Sequence, residues 1–259
     1  MTQKFYRFTL AHHGFSLELR VNDVIIDADP EGIFRNRSFV NNQFIIDGVN
    51  KVQLHIGLAG NPPQIPKDLT LTCSVYECTA DQLGKDNLPA PLVQLTFPGK
   101  EVPSFPAALT GSFETKSPFG RWAWQDAERI DPVTPDDVLL CASLVKKTHT
   151  ALTQKSLQTL LPLLSIKTAE MALAFYVPPE ERRKDQEQFF QQVFGDSQFA
   201  MERFETDDLE IVPMGENRVF LVRHLGGIPA LESKELSEGY CFTLPIIASK
   251  IGGEWKVVR

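Results

Sequence analysis

Helical periodicity occupies one stretch of this chain, and alternating apolar and polar residues occupy both sides of it. In residues 138–152, Val138, Cys141, Val145, His149 and Leu152 recur at steps of three and four, which lines them along one helix face. In residues 51–58, Val52, Leu54, Ile56 and Leu58 alternate with Lys51, Gln53, His55 and Gly57, the period of a half-buried strand. The two periods place side chains on incompatible sets of faces, so the architecture changes where they exchange. The exchange falls at IDPVTPDD, residues 130–137, and the reverse exchange follows Gly195.

Before the first exchange the pattern predicts about eight short strands. KFYRFTLA (4–11) and FSLELRV (15–21) flank His12-His13-Gly14, a hairpin-like connection, and VIID (24–27) ends at the turn ADPEG. SFVNNQFII (38–46) and KVQLHIGL (51–58) read as two strands joined by a Gly48-Val49-Asn50 turn. LTLTCSVYEC (69–78), PLVQLTF (91–97), GSFETK (111–116) and RWAWQDA (121–127) complete the set, with Pro-rich connections NPPQIP (61–66) and FPGKEVPSFP (97–106). Short strands so connected predict an all-β sandwich, jelly-roll-like in form.

At the border, Thr134 suits an N-cap, Pro135 the first helical position, and Asp136 and Asp137 the positive end of the helix dipole. SLQTLLPLL (156–164) is broken or kinked by Pro162, and TAEMALAFY (168–176) forms another helix. PPEERRKDQEQFFQQVFG (178–195) carries both start and stop signals, with its apolar residues on the last turns. Beyond Gly195, QFAMERF, LEIVPM, RVFLVRH, YCFTLPIIAS and EWKVVR read as strands, with turns at residues 214–217 and 251–253. Helices followed by an antiparallel meander predict an α+β domain with its helices on one sheet face. A length of 259 residues fits two domains, 1–130 and 131–259.

The helices followed by a meander closing in IIASKIGGEWKVVR (246–259) resemble the nuclear-transport-factor or cystatin-like cone fold. The resemblance covers roughly residues 134–259 and rests mainly on the closing hairpin. It implies a cone able to enclose a cavity, and some members of that family are isomerases or hydratases with an Asp base and Tyr or Asp donors inside. The matching segments here offer Tyr176, Tyr240 and His149, while Asp185, Glu187 and Asp196 flank the amphipathic parts.

Motifs for chemistry are sparse. No G-x-S-x-G, phosphate-binding loop or G-x-G-x-x-G occurs. His12 and His13 are adjacent, so on a strand they point oppositely, and no histidines have zinc-ligand spacing. Carboxylate pairs such as those in TDDLE (206–210) lie in polar segments, without the apolar pocket a glycosidase acid needs. Cys73, Cys78, Cys141 and Cys241 form no C-x-x-C pair, and the first two point to opposite strand faces, so buried free thiols are expected. The expected chain is non-catalytic, with no cofactor and no metal.

Charge distribution points to a partner. The net charge is −7, and residues 205–238 hold eight acidic side chains against three basic ones. Such a segment repels nucleic acid and attracts a basic protein. Apolar stretches such as MALAFYV (171–177) fall short of the roughly 20 residues of a membrane span. The N-terminus lacks a signal-like apolar segment, so the expected location is cytoplasmic, or periplasmic if a leader has been removed. In overall make-up the chain resembles bacterial immunity proteins that neutralise secreted toxins, including those of type VI secretion. That resemblance implies a cognate toxin, basic, a nuclease being one such case, held by Glu205, Asp207, Asp208, Glu232, Glu235 and Glu238. The alternatives are a cone-fold enzyme and a carbohydrate-binding or accessory protein. The latter would use Asn41, Asn42, Asp47, Asn50, Trp122 and Trp124, residues whose plainer use is in turns and in the core.

Overall fold

Strand alternation in the first 121 residues builds two four-stranded antiparallel sheets. The computed structural model describes residues 3–33, 36–60, 70–85, 87–98 and 104–259, and divides the chain into units Met1–Arg121 and Trp122–Arg259. In the first unit the strands are β1 (Phe5–Ala11), β2 (Phe15–Val21), β3 (Val24–Asp29), β4 (Asn36–Val40), β5 (Gly48–Leu58), β6 (Leu71–Cys78), β7 (Val93–Phe97) and β8 (Ala107–Thr115). They form sheets of order β4-β1-β6-β7 and β3-β2-β5-β8. On β2, Phe15, Leu17, Leu19 and Val21 are buried while Ser16, Glu18 and Arg20 are only half-buried. A fully buried apolar side chain contributes about 1.5–3 kcal/mol, whereas a pair such as Arg20–Glu18 (2.6 Å) contributes at most about 1 kcal/mol. The apolar face therefore sets the register. The two sheets pack face to face, with Phe15 of β2 edge-on to Phe97 of β7 at 5.7 Å and Tyr6 of β1 stacked on Phe113 of β8 at 6.2 Å.

Connectivity differs from the sequence expectation in two places. His12-His13-Gly14 closes no hairpin: β1 pairs with β4 and β6, whereas β2 pairs with β3 and β5, so the connection passes between sheets. Among the described residues, only β2–β3 and β6–β7 are consecutive strands within one sheet; the other consecutive strands of this unit lie in different sheets. Gly48-Val49-Asn50 is the start of β5, and the corner before it is made by a 3-10 turn, Asn42–Phe44. The NPPQIP connection and residues 99–103 of the second Pro-rich connection lie outside the described residues.

The second unit is α+β. Its helices are α1 (Pro135–Thr153), α2 (Leu157–Leu163), α3 (Ser165–Ala174) and α4 (Pro179–Gly195). Its strands are β9 (Leu209–Met214), β10 (Val219–His224), β11 (Glu232–Glu235), β12 (Cys241–Thr243), β13 (Ile246–Ile251) and β14 (Glu254–Val257). The main sheet has the order β14-β13-β10-β9, and β11 and β12 pair separately. Thr134 and Asp137 form a reciprocal cap at the start of α1, whose Pro135 occupies the first turn. Leu144, Val145 and Leu152 of α1, Leu160 of α2 and Phe190 of α4 share one apolar cluster with Phe220, Ile246, Ala248, Trp255 and Val257 of the sheet. Helices thus cover a sheet face, as the α+β pattern predicts.

Residues 122–130 belong structurally with this unit. RWAWQDA forms a 3-10 turn, Ala123–Asp126, in place of a strand, because Gln125 Oε1 accepts the Trp122 N–H at 2.8 Å and closes the chain on itself. Trp122 is fully buried beneath the Arg259 guanidinium at 5.0 Å, and Arg259 ion-pairs with Glu170 of α3. Glu170 also accepts the Ala123 N–H at 2.5 Å. QFAMERF is likewise reduced to one bridge, Met201 to Ser233. There the Asp196 side chain accepts the Gln198 N–H at 2.7 Å, fixing a turn where a strand would begin. Of the cysteines, all free, Cys73, Cys78 and Cys141 are buried, and burial pushes the Cys73 and Cys141 thiols up to about 12. Cys241 departs from the expectation and is exposed on the two-stranded ribbon.

Candidate functional site

The acidic segment folds so that part of it converges. β9 and β10 pair in antiparallel register, with His224 opposite Leu209 and Arg223 opposite Glu210. Leu225 N–H donates to Asp208 O at 2.9 Å, which draws residue 208 against the end of β10. The Glu202 N–H donates to Glu232 O, also at 2.9 Å, which lays residues 200–205 alongside β11. Between these segments lies a cleft of about 250 Å³, lined by Glu202, Arg203, Glu205, Asp208, His224, Ile228, Pro229, Ala230 and Glu232.

Four acidic residues and one arginine line this cleft. Arg203 pairs with Glu205 at 2.5 Å, both largely exposed, and an exposed pair of that kind contributes at most about 1 kcal/mol. His224 Nδ1 lies 2.9 Å from Asp208 Oδ1, so the carboxylate orients the ring. Phe204 stands between two imidazoles, 5.5 Å from His149 and 6.3 Å from His224. His149 Nε2 bonds Glu202 O at 2.8 Å and so braces the segment that carries Glu202. Beside the cleft, the Leu225–Gly227 turn exposes Leu225 (64%) and Ile228 follows it (53%), both large apolar residues turned to water. Exposed carboxylates accept hydrogen bonds from Lys or Arg, and neighbouring apolar residues offer area to bury.

Three of the six sequence-predicted contacts, Glu205, Asp208 and Glu232, line this cleft. Asp207 sits on the adjacent loop, exposed, and accepts from Thr206 Oγ1 at 3.3 Å. Glu235 and Glu238 lie along β11 and its turn, exposed and outside the cleft lining. Glu202 was missed because it precedes the acid-rich window; its pairing with Glu232 spans thirty positions, and local composition carries no sign of it.

The other candidates fall elsewhere. Asn42 and Asn50 are fully buried and Asn41 nearly so. The Asn50 amide is committed to its surroundings: Oδ1 accepts from Ile46 N and Asn22 Nδ2, and Nδ2 donates to Ile46 O and Gly48 O. Asp47 holds the Ser117 N–H at 3.0 Å, and Trp122 and Trp124 are buried residues within the range of the second unit. These residues form no exposed sugar platform. Of the groups expected to line a cone, Tyr240 is exposed, Tyr176 sits in the turn after α3, and His149 packs on Phe204. Among the described residues, no three His, Cys, Asp or Glu side chains are grouped to hold a metal. No described helix is long and apolar enough to cross a membrane. No family model, curated protein or solved structure matches the chain.

Proposed function

We propose that this chain is a non-catalytic binding module of the immunity type, which captures and inhibits a basic secreted bacterial toxin through the acidic cleft of its second unit. The observation carrying this reading is the convergence of Glu202, Glu205, Asp208 and Glu232 on one cleft beside exposed Leu225 and Ile228. The two kinds of group have different tasks. Exposed charges mainly steer encounter and set its rate, while desolvated apolar anchors mainly slow dissociation. A basic toxin active site would be blocked by the carboxylates standing where its anionic substrate stands. Cytoplasmic residence fits that role for a protein guarding its own cell.

The test is affinity capture from the source cell with the adjacent gene's product co-expressed, followed by association kinetics on the captured protein. A stoichiometric basic partner is expected, with its toxicity suppressed by the wild-type chain. The triple variant Glu202→Lys, Glu205→Lys, Glu232→Lys should slow association at least about tenfold at low salt and flatten its salt dependence. Glu235→Lys with Glu238→Lys should change it far less. Equal association by the triple variant and wild type would remove the cleft from the mechanism.

A further inference from the structure

We propose a second binding site, in the groove between α2, α3 and α4, for a single-chain amphiphile with a carboxylate head. The groove holds about 460 Å³ and shares no residue with the acidic cleft; its size falls in the roughly 300–1,000 Å³ range of small-molecule sites. Leu157 and Leu161 of α2 and Ala169 of α3 give it an apolar wall. Its polar groups concentrate on α4, where Arg183 and Gln186 stand three residues apart and therefore share a helix face. Arg183 is exposed and ion-pairs with no described residue. Thr168 Oγ1 has both Gln186 Oε1 at 2.6 Å and Leu164 O at 2.9 Å within hydrogen-bond reach, which anchors the Gln186 side chain at the groove beside Arg183.

The groove thus presents donors and a positive charge on one side and hydrocarbon on the other. An inorganic anion would satisfy the donors and leave the apolar wall wet. A neutral hydrocarbon would cover the wall and leave the guanidinium without an acceptor. A carboxylate carried on an alkyl chain meets both demands, since carboxylates take guanidinium and amide donors together and methylenes bury against leucine.

The test is calorimetric titration of the full chain with octanoate, decanoate and dodecanoate below their micelle concentrations. Affinity should rise roughly fourfold for each added methylene if the chain is buried along the wall. Filling the groove with Ala169→Trp or Gln158→Trp, exposed positions on different helices, should abolish binding. Circular dichroism verifies each variant's fold, and either plug alone decides. Arg183→Glu should weaken dodecanoate at least about tenfold and leave its methyl ester unaffected. Absence of binding at every chain length, affinity indifferent to chain length, or wild-type binding by a folded plug variant would each overturn the site. Equal dodecanoate binding by Arg183→Glu would overturn the carboxylate head.

Discussion

His12 shows how one buried side chain couples this protein to pH. It is 4% exposed, with Nε2 3.5 Å from Asp29 Oδ2. Burial holds its pKa below the ordinary imidazole value, with Arg37 and His13 acting in the same direction and Asp29 opposing. The unfolded chain therefore binds more protons than the folded one between the lowered value and about 6.5, and stability rises with pH across that window. His12→Gln should flatten the dependence: the loss of urea stability between pH 7.5 and pH 5 is expected to be larger in wild type than in the variant. Identical pH profiles would mean that His12 contributes nothing to it. Asn50 gives the complementary lesson about legibility. Gly-Val-Asn has turn composition, yet Asn50 lies inside a strand, because its amide joins Ile46 and Gly48 to Asn22, twenty-eight positions away. A sequence window shows the residue type and hides its partners.

Elements whose signals are local were legible. The start of α1 is written in Thr134, Pro135 and Asp137 within one turn, and most strands are visible in their alternation. The elements that departed from expectation depend on distant partners. Trp122 and Trp124 suggested a pleat by spacing, whereas the 3-10 turn that holds them is tied to α3 through Glu170 and to Arg259, two residues beyond β14. That tie carries a prediction. Glu170→Ala takes the carboxylate from a nearly fully buried guanidinium and the acceptor from Ala123 N–H. Breaking a buried pair in this way costs about 3–5 kcal/mol, while replacing both partners by apolar residues costs less. Chemical denaturation should rank Glu170→Ala below the double variant Glu170→Met, Arg259→Met. The reverse order, or a loss under about 0.5 kcal/mol, would show that the pair is not what fastens the turn.

At the scale of the molecule, the sandwich and the α+β arrangement followed from where the hydrophobic period changes. The acidic window was equally legible, but which carboxylates meet depends on how β11 lies against residues 200–205. The division after Arg121 gives a measurable expectation. A fragment of residues 122–259 should unfold cooperatively, and one of residues 131–259 should be less stable by at least about 1.5 kcal/mol, because it lacks Ile130 of the second unit's apolar cluster and the Ala123 N–H held by Glu170. Equal denaturation midpoints would show that residues 122–130 add nothing to the second unit's stability. The crossed connections of the first unit bear on the order in which a growing polypeptide can be enclosed. β1 is hydrogen-bonded between β4 and β6, with Phe5 opposite Cys78. During synthesis from the N-terminus, one edge of that strand has only water, or a protein that shields it, to bond until residue 78 has left the ribosome. The strand made first waits for the sixth.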